Sequence, residues 1–142
     1  MFEIEDINFK KLRKEMCLIK KIECVHSDKR RDLYELFNKK SLGFIPKQIK
    51  IINIKKDSIL GNHYHKYKEF FYILKGSAIY YLVDIKNKNN KATIGLTKGS
   101  ILVINKNIAH KADMKKGTIT IEGTEKAYVN AKKNDVRYEV EG

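Results

Sequence analysis

Apolar residues in this chain recur in short runs separated by polar, turn-like segments, and they rarely follow the 3.6-residue period of a helix. In Gln48–Ile54 they alternate, with Ile49 and Ile51 on one face. Strands of this kind, divided by the turn segments KG, KNKNN and KKG, predict an all-β sandwich or barrel. Further runs are apolar on both faces: Phe70–Leu74, Ser77–Val83, Ile101–Ile104 and Thr118–Ile121.

Helix signals are sparse. Phe9–Met16 predicts one or two helical turns, and Thr124–Lys133 has an N-cap residue and good helix formers but fits a loop equally well. The length of 142 residues, without a repeat or a Gly/Ser-rich linker, predicts one domain over residues 1–142. Because several strands are apolar on both faces, we expect some outer faces to be covered by a second subunit, as in a homodimer.

The net charge of +13 favours an anionic partner such as nucleic acid, membrane headgroups or a phosphorylated substrate. The lysines are nevertheless scattered over every segment, and the runs KNKNNK and KADMKK lack the interleaved aromatic residues of a single-strand groove. No helix-turn-helix or zinc-finger pattern is present. We therefore expect no nucleic-acid partner, although a basic surface favours the approach of a nucleotide diphosphate.

Targeting and redox signals are weak. No apolar run approaches the roughly 20 residues that span a bilayer, and the chain begins with acidic residues rather than with signal-peptide charges. A cytoplasmic protein with no membrane partner is expected. Cys17 and Cys24 lie seven apart, which matches no zinc-knuckle spacing and makes no disulfide framework, so reduced, partly buried thiols are expected.

The segment Gly61–Gly76, GNHYHKYKEFFYILKG, holds the strongest chemical signal. His63 and His65 are two residues apart, so on a strand their side chains share a face. A continuous strand would carry Glu69 roughly 20 Å from His63 at about 3.3 Å per residue. A turn at residues 66–68 is therefore required, after which Glu69–Lys75 forms a returning strand that ends at a hairpin corner, Lys75-Gly76.

A fourth candidate ligand, His110, ends the glycine-led apolar run GSILVINKNIAH and must reach the others from a neighbouring strand. Three imidazoles and a carboxylate suit zinc, iron, nickel, copper or manganese. The alternative is that the same four residues bind no metal and act as acid, base or ligand contacts. His26, isolated in VHSDKR, is expected to be a solvated loop residue.

These residues resemble the two motifs of the cupin family, whose fold is a double-stranded β-helix or jelly roll. His63, His65, Glu69 and Gly76 match the first motif in spacing. The second motif matches at its first glycine and its histidine, Gly99 and His110. The resemblance covers about residues 44–125, after an N-terminal strand extension over residues 1–43, and implies that the metal ligands are His63, His65, Glu69 and His110.

Other motif positions depart from the cupin pattern. Asp57 replaces the leading glycine of the first motif, and Met114 replaces the final asparagine of the second. Asn105 and Asn107 replace a proline and a glycine of the second motif. Asparagine at position 107 is still able to adopt a left-handed turn conformation, so the loop before His110 is expected to keep its shape.

A second resemblance concerns Asp28–Asn38, which is similar to the opening segment of cupins that act on nucleotide-linked sugars, with Arg31 in a glycine place. The alternative for this segment is an edge strand with a charged turn. Gly61–His65 also resembles the metal-binding cupin domain of capsular-polysaccharide enzymes. Metal-free sugar ketoisomerases usually lack the last histidine, whereas His110 is present here.

Together the resemblances imply an enzyme, an isomerase or epimerase of a nucleotide-linked ketosugar that holds a divalent Zn, Fe, Ni or Mn ion. Its small-molecule substrate would lose and regain a proton next to a carbonyl group. The catalytic acid and base are not identified by the sequence, although one tyrosine is a candidate acid. Two alternatives stay open, a metal-dependent dioxygenase and a non-enzymatic small-molecule-binding cupin. The candidate tyrosines are Tyr67, Tyr72, Tyr80 and Tyr81.

Overall fold

The computed structural model describes residues 16–142, and the regular secondary structure of that part of the chain is almost entirely strand. Its two short helices are α1 (Lys39–Leu42) and α2 (Ala131–Asn134). The strands, in chain order, are β1 (Cys17–Lys21), β2 (Cys24–Ser27), β3 (Asp32–Tyr34), β4 (Gln48–Asn53), β5 (Ser58–Tyr64), β6 (Glu69–Lys75), β7 (Ser77–Asp84), β8 (Asn87–Thr97), β9 (Ser100–Ile104), β10 (Ile108–Met114), β11 (Ile119–Thr124) and β12 (Val136–Arg137).

Ten of these strands form two five-stranded antiparallel sheets that share one core, and β2 and β3 pair separately. The first sheet has the order β1-β9-β6-β11-β4, and the second has the order β12-β5-β10-β7-β8. Ile73 and Leu102 of the first sheet pack in one cluster with Leu82 and Ile94 of the second, and all four side chains are buried. The predicted all-β jelly roll is confirmed.

The doubly apolar strands are explained by a second cluster on the outer face of the first sheet. Successive side chains of a strand point to opposite faces, so Leu102 enters the core while Ile101 and Val103 point outward. There the chain covers them with Leu42 and Phe44, which pack on Phe70. One segment of the same chain therefore covers part of the face that the sequence assigned to a partner subunit.

The connection at Gly76 differs from the predicted hairpin. β6 belongs to the first sheet and β7 to the second, so the two strands do not pair, and the prediction of a hairpin corner at Lys75-Gly76 was wrong. Gly76 has a φ of 85°, and a Cβ there would lie 2.6 Å from Oγ1 of Thr118. Glycine tolerates both the positive φ and the close approach of Thr118, so the chain is able to bend here from one sheet to the other.

The N-terminal hairpin β2–β3 contains the first part of the segment Asp28–Asn38, which forms the turn between the strands and then β3. One carboxylate oxygen of Asp28 accepts hydrogen bonds from the backbone N–H groups of Arg30 and Arg31 at 2.8 and 3.2 Å. The ring of His26 lies 3.0 Å from the other oxygen. Its side chain is exposed, as expected, but the prediction of a loop was wrong, because His26 lies in β2 and pairs with Leu33 of β3. Of the two cysteines, Cys17 is buried and Cys24 is exposed.

The two predicted helical segments have different outcomes. The segment Phe9–Met16 lies, apart from Met16, outside the described residues. In the second segment β11 continues through Thr124, and the helix is only α2, whose N-cap Asn130 accepts a hydrogen bond from the N–H of Lys133 at 2.9 Å. Within residues 16–142 no helix is both long and apolar enough to cross a membrane.

Candidate functional site

The topology brings the four predicted ligands to one place between the sheets. β5 and β10 pair so that His63 lies directly opposite His110, while His65 follows the end of β5 and Glu69 begins β6. One ligand atom from each of the four residues lies within 4.8 Å of all the others. His65, Glu69 and His110 are buried, and His63 is partly exposed.

Local backbone features set the position of His110. Asn107 has a φ of 62°, which confirms the predicted left-handed conformation, and its N–H donates to the carbonyl of His65 at 2.8 Å. The register of β10 on β5 shifts between His110 and Lys111, opposite Gly61. A Cβ on Gly61 would lie 2.7 Å from the carbonyl oxygen of His110, so glycine lets the two strands approach here.

The Glu69 carboxylate lies between two imidazoles. Its Oε1 is 2.9 Å from Nε2 of His110 and 3.4 Å from Nε2 of His65. The opposite ring nitrogens face backbone carbonyls: Nδ1 of His65 lies 2.9 Å from that of Asn134, and Nδ1 of His110 lies 3.2 Å from that of Ile108. These contacts orient both rings so that Nε2 points into the cluster.

The electrostatics of the cluster follow from burial and mutual charge. Burial opposes ionisation of Glu69, but His110 and His65 outweigh it and hold its pKa well below the usual range. Burial likewise lowers the pKa of His65, yet the adjacent Glu69 carboxylate prevails and raises it to about 9. Burial and the neighbouring His110 lower the pKa of His63 to about 4, which keeps that imidazole neutral.

The donor set fits a divalent metal ion. Ligand atoms bound at about 2.0–2.2 Å around one ion lie about 3.0–3.5 Å apart, close to the two distances measured at Glu69. Oε1 of Glu69 is buried and receives no hydrogen bond even though both Nε2 atoms are near. A buried oxygen of this kind is expected where carboxylate and imidazole lone pairs point at a shared cation instead of at one another.

A carboxylate from the C-terminal segment supports the histidines from outside the cluster. Asp135 lies 3.6 Å from Nδ1 of His63 through one oxygen and 3.4 Å from Nδ1 of His65 through the other. The first oxygen also accepts a hydrogen bond from the hydroxyl of Tyr128 at 3.0 Å. Burial and this bond to Asp135 raise the pKa of Tyr128 to about 12, so the phenol stays protonated and remains a donor.

The cluster opens into a cavity of about 250 Å³ between the sheets. Of the predicted candidate acids, Tyr80 lines this cavity, and Tyr67 stacks on the ring of His65 at 4.9 Å. Tyr72 packs in the outer cluster of the first sheet, and Tyr81 packs beside Val140 outside the second sheet. Other cavity-lining residues include Gln48, Lys50, Phe71, Glu122 and Tyr128.

Three of the residues at this site were not predicted: Glu122, Tyr128 and Asp135. Glu122 had only a partial signal, because Thr120 and Glu122 alternate with apolar residues and therefore share a face, whereas sequence alternation places a polar face toward solvent and only the structure turns it into the cavity. Asp135 had no local signal, since it reaches the histidines only because the C-terminal segment folds back beside β5.

Comparison with known proteins agrees with the fold. A sequence model of the cupin family matches residues 48–115. No curated protein sequence matches the chain.

Several solved structures of sugar ketoisomerases are similar to the chain. The TDP-quinovose 3,4-ketoisomerase of Campylobacter jejuni is 25% identical, with a TM-score of 0.73 over 85% of this chain and 92% of that one. The TDP-fucose-3,4-ketoisomerase of the same organism is 29% identical, with a TM-score of 0.68 over 83% and 87%. A 3,4-ketoisomerase of Helicobacter canadensis is 25% identical, with a TM-score of 0.72 over 85% and 90%.

Proposed function

Since the chain folds as a cupin and resembles nucleotide-sugar ketoisomerases, we propose that it is an isomerase or epimerase of a nucleotide-linked ketosugar. The observation that carries this proposal is the convergence of His63, His65, Glu69 and His110 on one cavity between the sheets. A mostly apolar cavity with a few convergent polar groups and perturbed pKa values is the usual setting for proton transfer.

The size of the cavity supports a substrate with two parts. Its volume of about 250 Å³ lies below the roughly 300–1,000 Å³ of pockets that enclose drug-sized ligands, so it accommodates one sugar ring and leaves the nucleotide outside. Lys50 lies on the cavity wall, with Nζ 4.2 Å from the centre of the Tyr128 ring. Together with the net charge of +13, this lysine favours a diphosphate near the opening.

We propose further that His63, His65, Glu69 and His110 hold a divalent metal ion. When bound, such an ion supplies Lewis-acid stabilisation of negative charge that develops on a substrate oxygen. The chain's own residues orient the ligands: Asp135 faces two imidazoles, and the backbone carbonyl of Asn134 fixes the ring of His65. The surrounding apolar core limits water and strengthens electrostatic interactions at the cluster.

The isomerase proposal is tested with hydrogen exchange. The purified protein is incubated in deuterated water with a panel of nucleotide 4-ketosugars, and the products are followed by mass spectrometry and NMR. We expect solvent deuterium to appear at a carbon next to the ketone, together with migration of the ketone or inversion of that carbon. Protein that leaves every sugar of the panel unlabelled would count against the proposal.

The metal proposal is tested with protein produced without a histidine tag. Elemental analysis is expected to find a first-row metal in the wild type and a sharp loss of occupancy in His110→Ala, with the circular dichroism spectrum retained. His26→Ala is the matched control, because His26 lies in the exposed β2–β3 hairpin. Equal occupancy in all three proteins would mean that His110 is not a ligand.

We also propose a homodimer in which a second copy covers the β4 end of the first sheet. Ile51, Ile121 and Tyr72 occupy one register row on the outer face, and Ile51 is 71% exposed. Ile49, two residues away on the same face, is 51% exposed. Exposed isoleucines that continue a buried apolar cluster are the kind of surface that a subunit interface covers.

Sedimentation measurements test the dimer. Ile51→Lys is expected to shift the protein to the monomer, because a lysine ammonium would have to be buried at the interface. Ile59→Lys is the matched control, since Ile59 is exposed on β5 of the other sheet. A monomeric wild type, or equal dimerisation of both variants, would contradict this arrangement.

A further inference from the structure

The cavity contains a second carboxylate that the metal cluster does not use. Glu122 lies on β11, on the inward face that it shares with Thr120, and it lines the same cavity as the four-residue cluster. Among the described residues that line the cavity, Glu122 and Glu69 are the carboxylates, and Glu69 is turned toward the histidines. Glu122 therefore remains available to a ligand in the cavity.

Charged groups on four neighbouring segments face Glu122. Burial is the largest influence and raises its pKa, and the negative charge of Glu69 on β6 acts in the same direction. Lys50 on β4, His110 on β10 and His65 after β5 oppose it. The result is a pKa of about 7, so the carboxylate gains and loses a proton readily near neutral pH, which suits a general acid–base group.

A buried hydroxyl group accompanies this carboxylate. Tyr80 on β7 lines the cavity and has no solvent exposure, yet its phenolic oxygen has no hydrogen-bond partner among the described residues. Burial, and then the charges of Glu122 and Glu69, raise the pKa of Tyr80 well above its usual value, so its hydroxyl stays protonated. An unpaired buried donor costs stability and is expected where a ligand oxygen accepts its hydrogen bond.

We propose that Glu122 is the catalytic base that removes the proton from the carbon beside the ketone, and that Tyr80 donates a hydrogen bond to the ketone oxygen. This inference rests on the proposed isomerase function. When His63, His65 and His110 hold an ion through their ring nitrogens, none of them is free to accept a carbon-bound proton. Glu122 is then the remaining carboxylate on the cavity wall.

The reaction balances within the substrate and this one carboxylate. Ionised Glu122 takes the proton, the C–H electron pair forms a carbon–carbon double bond, and the carbonyl π pair moves onto oxygen, where Tyr80 stabilises the charge. A proton then passes from the hydroxyl on the adjacent carbon to this oxygen. Protonated Glu122 returns its proton to the former carbonyl carbon, so the ketone moves by one carbon and Glu122 is ionised again.

The test compares the wild type with Glu122→Gln on a ketosugar that the wild type converts. The glutamine variant is expected to lose deuterium incorporation and ketone migration together, each by about 100-fold or more. Its affinity for the nucleotide sugar and its metal content are expected to be unchanged. The wild-type rate should rise with pH as the carboxyl group of Glu122 ionises, and this rise should be absent in the variant.

Three further variants complete the design. Glu141→Gln is the matched control, because Glu141 is exposed near the C-terminus. Tyr80→Phe is expected to lower kcat by about 100-fold, as for loss of one donor to a developing oxyanion. If Glu122→Gln does not fold, Glu122→Asp tests the role of Glu122 as the base instead. Because the aspartate side chain is shorter and holds its carboxylate farther from the substrate, we expect a lower kcat and an unchanged KM.

The outcomes separate the two proposals. Wild-type protein that exchanges no hydrogen on any ketosugar overturns the isomerase proposal and, with it, the role of Glu122. Wild-type activity that survives in folded Glu122→Gln, or a kcat of Glu122→Asp equal to that of the wild type, overturns Glu122 as the base while the isomerase proposal stands.

Discussion

Replacing Glu122 by glutamine should change how the stability of the protein depends on pH. In the unfolded chain the carboxyl group ionises at the ordinary glutamate pKa of 4.5, whereas in the folded protein its pKa is about 7. Between these values the native state holds the proton that the unfolded state has lost, so stability falls as pH rises and the loss is complete above about pH 7. At 1.36 kcal/mol per pKa unit, this loss amounts to about 3 kcal/mol.

Glutamine has nearly the same shape and does not ionise, so Glu122→Gln lacks this loss. The stability of the variant relative to the wild type should therefore increase by about 3 kcal/mol between pH 4 and pH 8. Urea unfolding of both proteins from pH 4 to pH 8, with a chelator present throughout, measures the difference in their free energies of unfolding. Ionisable groups that both proteins share contribute equally to the two curves and cancel to first order. Glu141→Gln, at an exposed site, should give a flat difference. A flat difference for Glu122→Gln as well would refute the reasoning.

Other variants probe the remaining features of the site. Asp135→Asn should weaken metal affinity by about 10- to 100-fold, measured by chelator competition, and an unchanged affinity would remove Asp135 from the support of the histidines. Gly61→Ala should destabilise by about 2 kcal/mol or more, because its φ is 98° and a Cβ would meet the backbone of β10. Gly99 also has a positive φ, but a Cβ there would have nothing within 4 Å, so Gly99→Ala measures the cost of backbone strain alone. Equal losses of stability in the two variants would show that the clash at Gly61 contributes nothing. Tyr80→Phe should raise the free energy of unfolding by about 1 kcal/mol by removing an unpaired buried hydroxyl, and a decrease would indicate a hidden partner.

Local spacing made much of the fold and the cluster predictable. Short apolar runs identified the main strands, and alternation alone placed Ile49 and Ile51 on one face of β4. The turn between His65 and Glu69 followed from the length of an extended chain, and the left-handed Asn107 followed from the preferences of asparagine. These features depend on residues that are close together in the chain, where backbone sterics and side-chain periodicity act directly.

Long-range pairing decided what spacing could not. Residues 75 and 76 are equally compatible with a hairpin and with a crossing between sheets, and only the sheet order selects the crossing. His110 faces His63 because β10 pairs with β5, whereas Glu122 and Tyr80 enter the same cavity from opposite sheets. Asp135 depends on the path of the C-terminal segment.

The sequence by itself therefore predicted the main core strands and the four residues of the cluster, and the tertiary structure decided which other side chains surround them. The physical reason is that a strand specifies which of its faces is apolar but not which strand it pairs with. That choice is made by the burial of apolar surface across the whole sheet and is shared among residues far apart in the chain.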